Sequence, residues 1–571
     1  MSCILSIHWG GDHDSAAALF DDYKIVAAVQ KERLTRSKKD GGAPTDCVAE
    51  VLALGGITPA DVDVVIFMRS QFPREVYKAG PARRLRDKPT KAGHTRSLSA
   101  AMAKSGTTDP FDVLDGGKAL SYFGLPQTAE IFFANHHLAH ALPALFFTDW
   151  DDAVLYTSDG AGDNVNYSHR IFRNDRLETV FGDDRWLCRP YRIDSLARAY
   201  AHVTEALGFR PLQHEGKVTG LAAFGQPVLQ KTFAARFRMD EDGLFSTDFA
   251  DGKAMREAFI ALCEGHSRED AAASIQAFVE DQVVASIDLL LDRHGVRHLG
   301  LAGGLFANVK LNQRLSARGI DEIFIVPPMG DEGLVIGGPL AYLQHRDGLP
   351  TWLKQRYRLR DVYWGRGFSG DAGRRFRDCS SRIHPLPGEP ARTAAELMHQ
   401  GKAVAIFSAR MEFGPRALGA RSIMASPQRR DINDSLNRRL DRSDFMPFAP
   451  VIAAEDARQV FDVCGVNDYA CRFMTITCDV KPEWSERIPA VVHVDNTARP
   501  QIIERSDNPL YYDILAQFKA VSGLPAAVNT SFNVHEEPII NTPEEAARAL
   551  VDDRVDYLVT EDAVYGVGGQ A

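Results

Sequence analysis

The same order of elements is written twice into the first part of this chain. Short apolar runs at Ile4 to Ile7, Ala16 to Phe20 and Ile25 to Val29 read as strands, with Asp21-Asp22 turning between the last two. A helix follows from about Asp46, with Val48, Val51 and Leu52 on one side, Asp46 as its cap and Gly55-Gly56 as its stop. Val62 to Met68 is then a near-continuous apolar strand, as expected inside a parallel or mixed sheet. The order returns with strand Ala153 to Tyr156 and a hairpin of Tyr167 to Phe172 with Leu177 to Phe181. A helix near Asp194 carries Leu196, Tyr200, Val203 and Leu207 and stops at Gly208. A long helix from about Ala273 to Arg293 ends at Gly295, and strand Leu299 to Ala302 follows directly.

Three strands, a helix and a strand make a ribonuclease-H-like half-domain. A doubled half-domain of this kind places nucleotide between its lobes. Residues 348 to 375 are rich in Arg and Gly and read as a boundary; from about Pro385 a second α/β unit begins. Its elements include helix Thr393 to His399, strand Ala403 to Phe407, and later strands Met474 to Ile476 and Ala526 to Val528. The chain has 571 residues, more than one hydrophobic core organises, so two or three domains fit its length.

The net charge of -10 argues against a general nucleic-acid binder. No apolar stretch reaches about 18 residues without charge, so no membrane span is expected. Met1 to Leu5 lacks the charged leader and apolar run of a signal peptide. The eight cysteines include no Cys-x-x-Cys pair, and their scatter fits reduced thiols in a cytoplasmic protein.

His136 and His140 are four residues apart, so a helix stacks both imidazoles on one face. Close behind, strand Ala153 to Tyr156 leads to Asp159-Gly160. Two neutral imidazoles plus a carboxylate hold a divalent metal and leave coordination positions open for substrate. Asp331, in Pro328-Met329-Gly330-Asp331-Glu332-Gly333, lies beyond another strand C-terminus, where open α/β sheets put ligands; it is the candidate further ligand. The bland alternative is a helix whose histidines face solvent or core carbonyls. Gly303 and Gly304, with Asn308, sit between a strand and a helix, where backbone N–H groups approach an anion; a tight turn is the alternative. Lys217, on the glycine-flanked turn His214 to Leu221, is either near nucleotide phosphate or on an ordinary loop. His13, in Asp12-His13-Asp14-Ser15, has an unperturbed pKa near ~6.5 and so suits a general base. The basic run Glu32 to Lys39 either covers an anion or is a solvated strand end.

The second unit has the densest anion chemistry. Glu412 to Ser422 packs Arg416 and Arg421 into a turn shaped by proline and glycine. Arg438, Arg439 and Arg442 follow, then Phe445 to Pro450, the run His493 to Gln501 with Arg499, and Asn529-Thr530-Ser531-Phe532-Asn533. Arginine forks bind phosphate bidentately, and Ser and Asn complete polar recognition. Surface salt bridges are the alternative.

Taken in this order, the motifs resemble the O-carbamoyltransferase family of nodulation-factor and antibiotic biosynthesis, over essentially the whole chain. The signatures are His136 to His140 with Asp159-Gly160, then Glu412 to Ser422, Thr497 to Gln501 and Asn529 to Asn533. The resemblance implies an α/β fold with a larger duplicated domain, residues 1–365, of the actin/hexokinase/acetate-kinase type. A smaller YrdC-like domain, residues 366–571, completes it. It implies that the smaller domain makes carbamoyl-adenylate from carbamoyl phosphate and ATP with Mg2+. The larger domain then transfers the carbamoyl group to a hydroxyl of a small secondary metabolite. From the glycine-bearing turns read above, nucleotide is expected near Lys217, Gly303, Gly304 and Asn308, and the resemblance puts a ferrous ion on His136, His140, Asp159 and Asp331. It gives catalytic roles to His13, Lys38, Arg416 and Arg499. Carbamoyl phosphate falls to Arg416, Arg421, Arg442, Arg499, Asn529, Ser531 and Asn533. One departure stands out: the family's Lys-x-Arg before Pro-Phe-Ala-Pro is here Leu440-Asp441-Arg442, so Arg438 or Arg439 is the candidate replacement for the lysine.

Three rival readings share parts of this pattern: a tRNA-modifying threonylcarbamoyl transferase, a small-molecule kinase, and a nucleotide-switched binding protein. Acidic charge disfavours the first. The acceptor is not named by the sequence, although the basic insertion Gln71 to Gly116 is the expected substrate-facing region. A homodimer follows from base rates alone.

Overall fold

The computed structural model describes residues 2–79, 88–90, 93–441, 447–534 and 536–568. The chain divides into two compact units: Met1–Lys31 with Lys39–Leu359, and Glu32–Lys38 with Arg360–Ala571. The sequence puts the boundary at residue 365 and gives it no N-terminal contribution to the second unit. Glu32–Lys38 belongs there because its arginines are bound there. Arg33 donates to the Gly414 carbonyl at 2.7 Å, and Arg36 donates to the Pro538 and Ile539 carbonyls and pairs with Glu545 at 2.6 Å.

The first unit holds two five-stranded sheets of one design. One runs Lys24–Gln30, Ala16–Asp21, Cys3–His8, Val64–Met68, Glu130–Ala134; the other runs Arg176–Phe181, Val165–Arg173, Asp152–Gly162, His298–Ala302, Glu322–Ile325. In both, the first three strands pair antiparallel and the last two add in parallel. Val64–Met68 is buried along its whole length, which explains its unbroken apolar sequence. The unit is therefore a duplicated ribonuclease-H-like α/β domain.

Each sheet ends in a helix, His136–Phe146 after the first and Leu334–Asp347 after the second. The two helices pack backbone to backbone at Gly337, where a Cβ would lie 1.6 Å from the Ala139 carbonyl oxygen. Pro143 has no N–H to bond that carbonyl from within its own helix, so the oxygen stands open at the crossing. Ala139 lies between His136 and His140. The contact that joins the two halves thus falls on the turn that carries the paired histidines.

The second unit is built on an eight-stranded mixed sheet in the order Ile383–Pro385, Val564–Val567, Tyr557–Val559, Val404–Phe407, Arg421–Ala425, Ala526–Ser531, Ala449–Ala453, Gln501–Ile503. Helices Pro390–His399 and Pro509–Ser522 pack on each other. Three local expectations are corrected. Met474 to Ile476 is not a strand: Met474 sits at φ 57°, in the left-handed region, in the turn after helix Asp468–Cys471. His214 to Leu221 is not a loop, since Glu215–Leu221 is helical. Asp46 does not cap its helix, Thr45–Gly55, because its carboxylate takes the Lys31 ammonium at 2.7 Å instead. Among the described residues, no helix is long and apolar enough to cross a membrane.

Candidate functional site

Asn135 opens the helix His136–Phe146 by accepting from the Leu138 N–H at 2.9 Å. This sets His136 and His140 on one face, aimed at two carboxylates from the other half of the unit. Asp159 lies in strand Asp152–Gly162, and Asp331 heads the turn Asp331–Gly333 before Leu334–Asp347. His140 Nε2 stands 3.1 Å from Asp159 Oδ2 and 3.4 Å from Asp331 Oδ1; His136 Nε2 stands 3.8 and 3.6 Å from the same atoms. One ligand atom from each of the four residues lies within 4.8 Å of the others. All four atoms are buried and without a hydrogen-bond partner. Buried polar atoms are normally paired. Two imidazole nitrogens and two carboxylate oxygens, converging and unpaired, fit a divalent transition-metal ion.

The surroundings orient these ligands. The Gly160 N–H donates to Asp159 Oδ1 at 2.7 Å, which leaves Oδ2 facing the cluster. At Gly162, a Cβ would lie 2.1 Å from His136 Cδ2, so only glycine leaves room for that ring. Burial opposes charge on His140, but attraction to Asp159 and Asp331 overrides it and pushes the imidazole up to about 9. Burial likewise opposes charge on Asp159, and His136 and His140 override it, holding the carboxyl well below its usual range.

Gly303, at φ 98°, brings its turn against this strand: a Cβ there would lie 2.2 Å from the Ser158 carbonyl, and one on Gly304 would lie 3.3 Å from Asp159 Oδ1. Asn308 caps helix Val309–Ser316 and exchanges amide hydrogen bonds with Gln276 at 2.8 and 3.0 Å. Lys217 lies half-buried on helix Glu215–Leu221.

His13 Nδ1 meets Asp14 Oδ2 at 3.0 Å, and Lys39 Nζ lies 3.6 Å from the same oxygen. Burial works against a charged His13, yet Asp14 and then Asp331 raise it to about 9. Lys38 groups with the second unit, whereas Lys39, which sequence reasoning passed over, is the lysine beside the His13–Asp14 pair.

In the second unit, Glu412 shapes the arginine loop. Its Oε1 accepts from the N–H groups of Leu418, Ala420 and Arg421 at 2.9, 2.7 and 3.0 Å. Nothing in the local sequence marks that carboxylate as a loop clamp. Arg421 gives its Nη1 to the Ser408 and Ala420 carbonyls and stacks on Phe407 at 3.8 Å, so it braces the loop. All three arginines have a buried, unpaired Nε, but among the described residues the side chains of Arg416 and Arg499 make no hydrogen bond or ion pair at all. Burial lowers Arg416 to about 10, and burial together with Arg416 lowers Arg499 well below the usual arginine range.

Gln501 donates to the Leu418 carbonyl at 2.7 Å and accepts from Asn529 at 2.8 Å. Ser531 and Asn533 are 2.5 Å apart, with the Asn533 amide also donating to the Glu537 carbonyl at 2.7 Å. Leu440 is buried. Arg439 does not replace a lysine there, because Asp556 and Asp553 hold its guanidinium at 3.0 and 3.4 Å. Arg442 lies outside the described residues, as does part of the insertion Gln71 to Gly116.

The two clusters fall in the two segments of one family. The carbamoyltransferase N-terminus model matches residues 4–340, and the carbamoyltransferase C-terminus model matches residues 395–566. An uncharacterized protein of Synechocystis sp. is 32% identical over 97% of this chain and 95% of its own length. Nodulation protein NolNO of Sinorhizobium fredii is 28% identical over 96% of this chain and 78% of its own length. Nodulation protein U of Rhizobium tropici is 27% identical over 96% and 93%.

Proposed function

From the premise that this chain belongs to the carbamoyltransferase family and is an enzyme of carbamoyl transfer, we propose that it uses ATP and carbamoyl phosphate to make carbamoyl-adenylate and passes the carbamoyl group to a hydroxyl of a small metabolite. The observation that carries this reading is the pair of unsatisfied clusters. Four unpaired ligand atoms converge in the N-terminal match, and two unpaired guanidiniums lie in the C-terminal match.

Arg416 and Arg499 hold the phosphate oxygens and stabilise charge as it moves onto the leaving group. Arg421, Gln501, Asn529, Ser531 and Asn533 fix the walls of that site. The second unit is assigned the adenylate-forming step in a YrdC-like fold. His136, His140, Asp159 and Asp331 hold the metal, assigned as ferrous iron. When bound, it polarises the carbamoyl group and lowers the acceptor hydroxyl's pKa. His13 takes the hydroxyl proton. Asp14 and then Asp331 favour the protonated ring, and a cation held by Asp331 would offset the smaller of those two contributions. Nucleotide lies along Gly303 and Gly304, near Lys217 and Asn308, with Mg2+ on its phosphates. The acceptor is a hydroxylated secondary metabolite.

The test is AMP and pyrophosphate release from ATP by anaerobically iron-loaded protein, with and without carbamoyl phosphate. Release that depends on carbamoyl phosphate is expected. ADP in place of AMP would instead make the protein a kinase.

A further inference from the structure

The two histidines of the metal-ligand set stand on a helix whose first turn is held from three other elements. The His136 N–H donates to Asp163 Oδ2 at 2.8 Å, and Asp163 is buried in the turn after strand Asp152–Gly162. Asn135, the cap of the same helix, donates its side-chain amide to Asp184 Oδ1 at 2.8 Å. Asp163 and Asp184 are both acids. One guanidinium lies against both: Arg69 donates to Asp184 through Nη1 at 2.5 Å and Nη2 at 2.8 Å, and its Nη1 stands 3.6 Å from Asp163 Oδ2. Arg69 is buried and sits just past the end of strand Val64–Met68. Its carbonyl accepts from the Ser99 N–H at 3.2 Å, which pins the backbone from which the fork extends.

We propose that Arg69 is a positioning residue for the metal centre: by clamping Asp163 and Asp184, it fixes where the helix begins and so where His136 and His140 point. This rests on the metal-binding reading of His136, His140, Asp159 and Asp331. The argument is geometric. A backbone N–H and a cap side chain define the first helical turn. Both are held here by carboxylates that would repel each other without the cation between them. Lysine supplies the charge but not the planar fork, so it cannot span the two acids as arginine does. Partners that orient ligands typically change metal affinity by about 10- to 100-fold.

The experiment uses the full chain, stripped of metal and titrated anaerobically with Co2+, reading its visible ligand-field spectrum and dissociation constant. Arg69→Gln and Asp163→Asn are expected to weaken Co2+ binding by about 10- to 100-fold and to change the spectrum. Arg69→Lys is expected to recover part of the affinity but not the wild-type spectrum. If Arg69→Gln does not fold, Asp184→Asn carries the test with the same expected change. Wild-type affinity and spectrum in the folded variants would overturn the proposal. His140→Ala separates it from the reading beneath: unchanged Co2+ binding in that variant would overturn the metal site itself, and Arg69's role with it.

Discussion

The two polar clusters are unsatisfied in opposite senses. In the first unit, acids and imidazoles face each other, so a proton on His140 balances the carboxylates: the ring is pushed up to about 9 by Asp159 and Asp331. In the second unit, Arg416 and Arg499 have no opposite charge paired with them among the described residues and bear on each other, and a guanidinium stays charged at ordinary pH. The first cluster can balance its own charge because it is amphoteric. The second stores repulsion that only an anion relieves. The difference teaches which ligand each unit awaits without any reference to fold.

The largest expected effect comes from breaking the second cluster. Arg499→Met should lower carbamoyl-phosphate-dependent adenylate formation by about 10²- to 10³-fold. It should also leave the thermal midpoint at or slightly above the wild-type value, because a half-buried guanidinium with an unpaired Nε is replaced by an apolar chain. Kinetics beside thermal denaturation of one variant checks both; loss of activity with loss of stability would mean that Arg499 braces the fold.

A smaller effect should mark the first cluster. The sign follows from His140, whose folded pKa of about 9 lies above the ordinary 6.5. In metal-free protein its contribution to stability is complete below about 6.5 and is lost as pH rises through about 9. Metal must displace that proton, so Co2+ affinity should fall about tenfold per pH unit below 9, with about one proton released on binding. Calorimetry in buffers of different ionisation enthalpy measures the proton. No release would mean that His140 is not a ligand.

The smallest effect is expected outside both clusters. Arg439→Ala should cost under about 1 kcal/mol, since its partners Asp553 and Asp556 are at or near the surface, and should leave the carbamoyl-phosphate KM unchanged. A raised KM would give Arg439 the task of the lysine that Leu440 displaces.

Much of the first unit was legible because its signals are local. Runs of apolar residues and glycine stops mark the doubled order of strands. A four-residue histidine spacing marks a helical face. Family resemblance then linked His136, His140, Asp159 and Asp331, which the structure brings together. What escaped depends on contacts with no sequence period. Glu412 acts on backbone N–H groups six to nine residues ahead, and Arg421 gives its Nη1 to two carbonyls. Lys39 rather than Lys38 flanks Asp14, a one-residue distinction that a basic run conceals. Asp163, Asp184 and Arg69 carry no motif, and only the fold gathers them. Met474 looked like strand because it is apolar, and its left-handed backbone shows that apolarity signals burial and not conformation.

The segment Glu32–Lys38 leaves a mark on how the polypeptide is assembled. Arg33 is bound to a carbonyl 381 residues ahead of it, and Arg36 to one 503 residues ahead. A ribosome delivers these arginines hundreds of residues before their partners. The later-made unit therefore completes its contacts with a segment synthesised much earlier. Contacts so distant in sequence slow the final step of folding. They also make the two units covalently interlaced rather than strung in tandem, so severing the chain at Leu359 would divide a fold and not a linker.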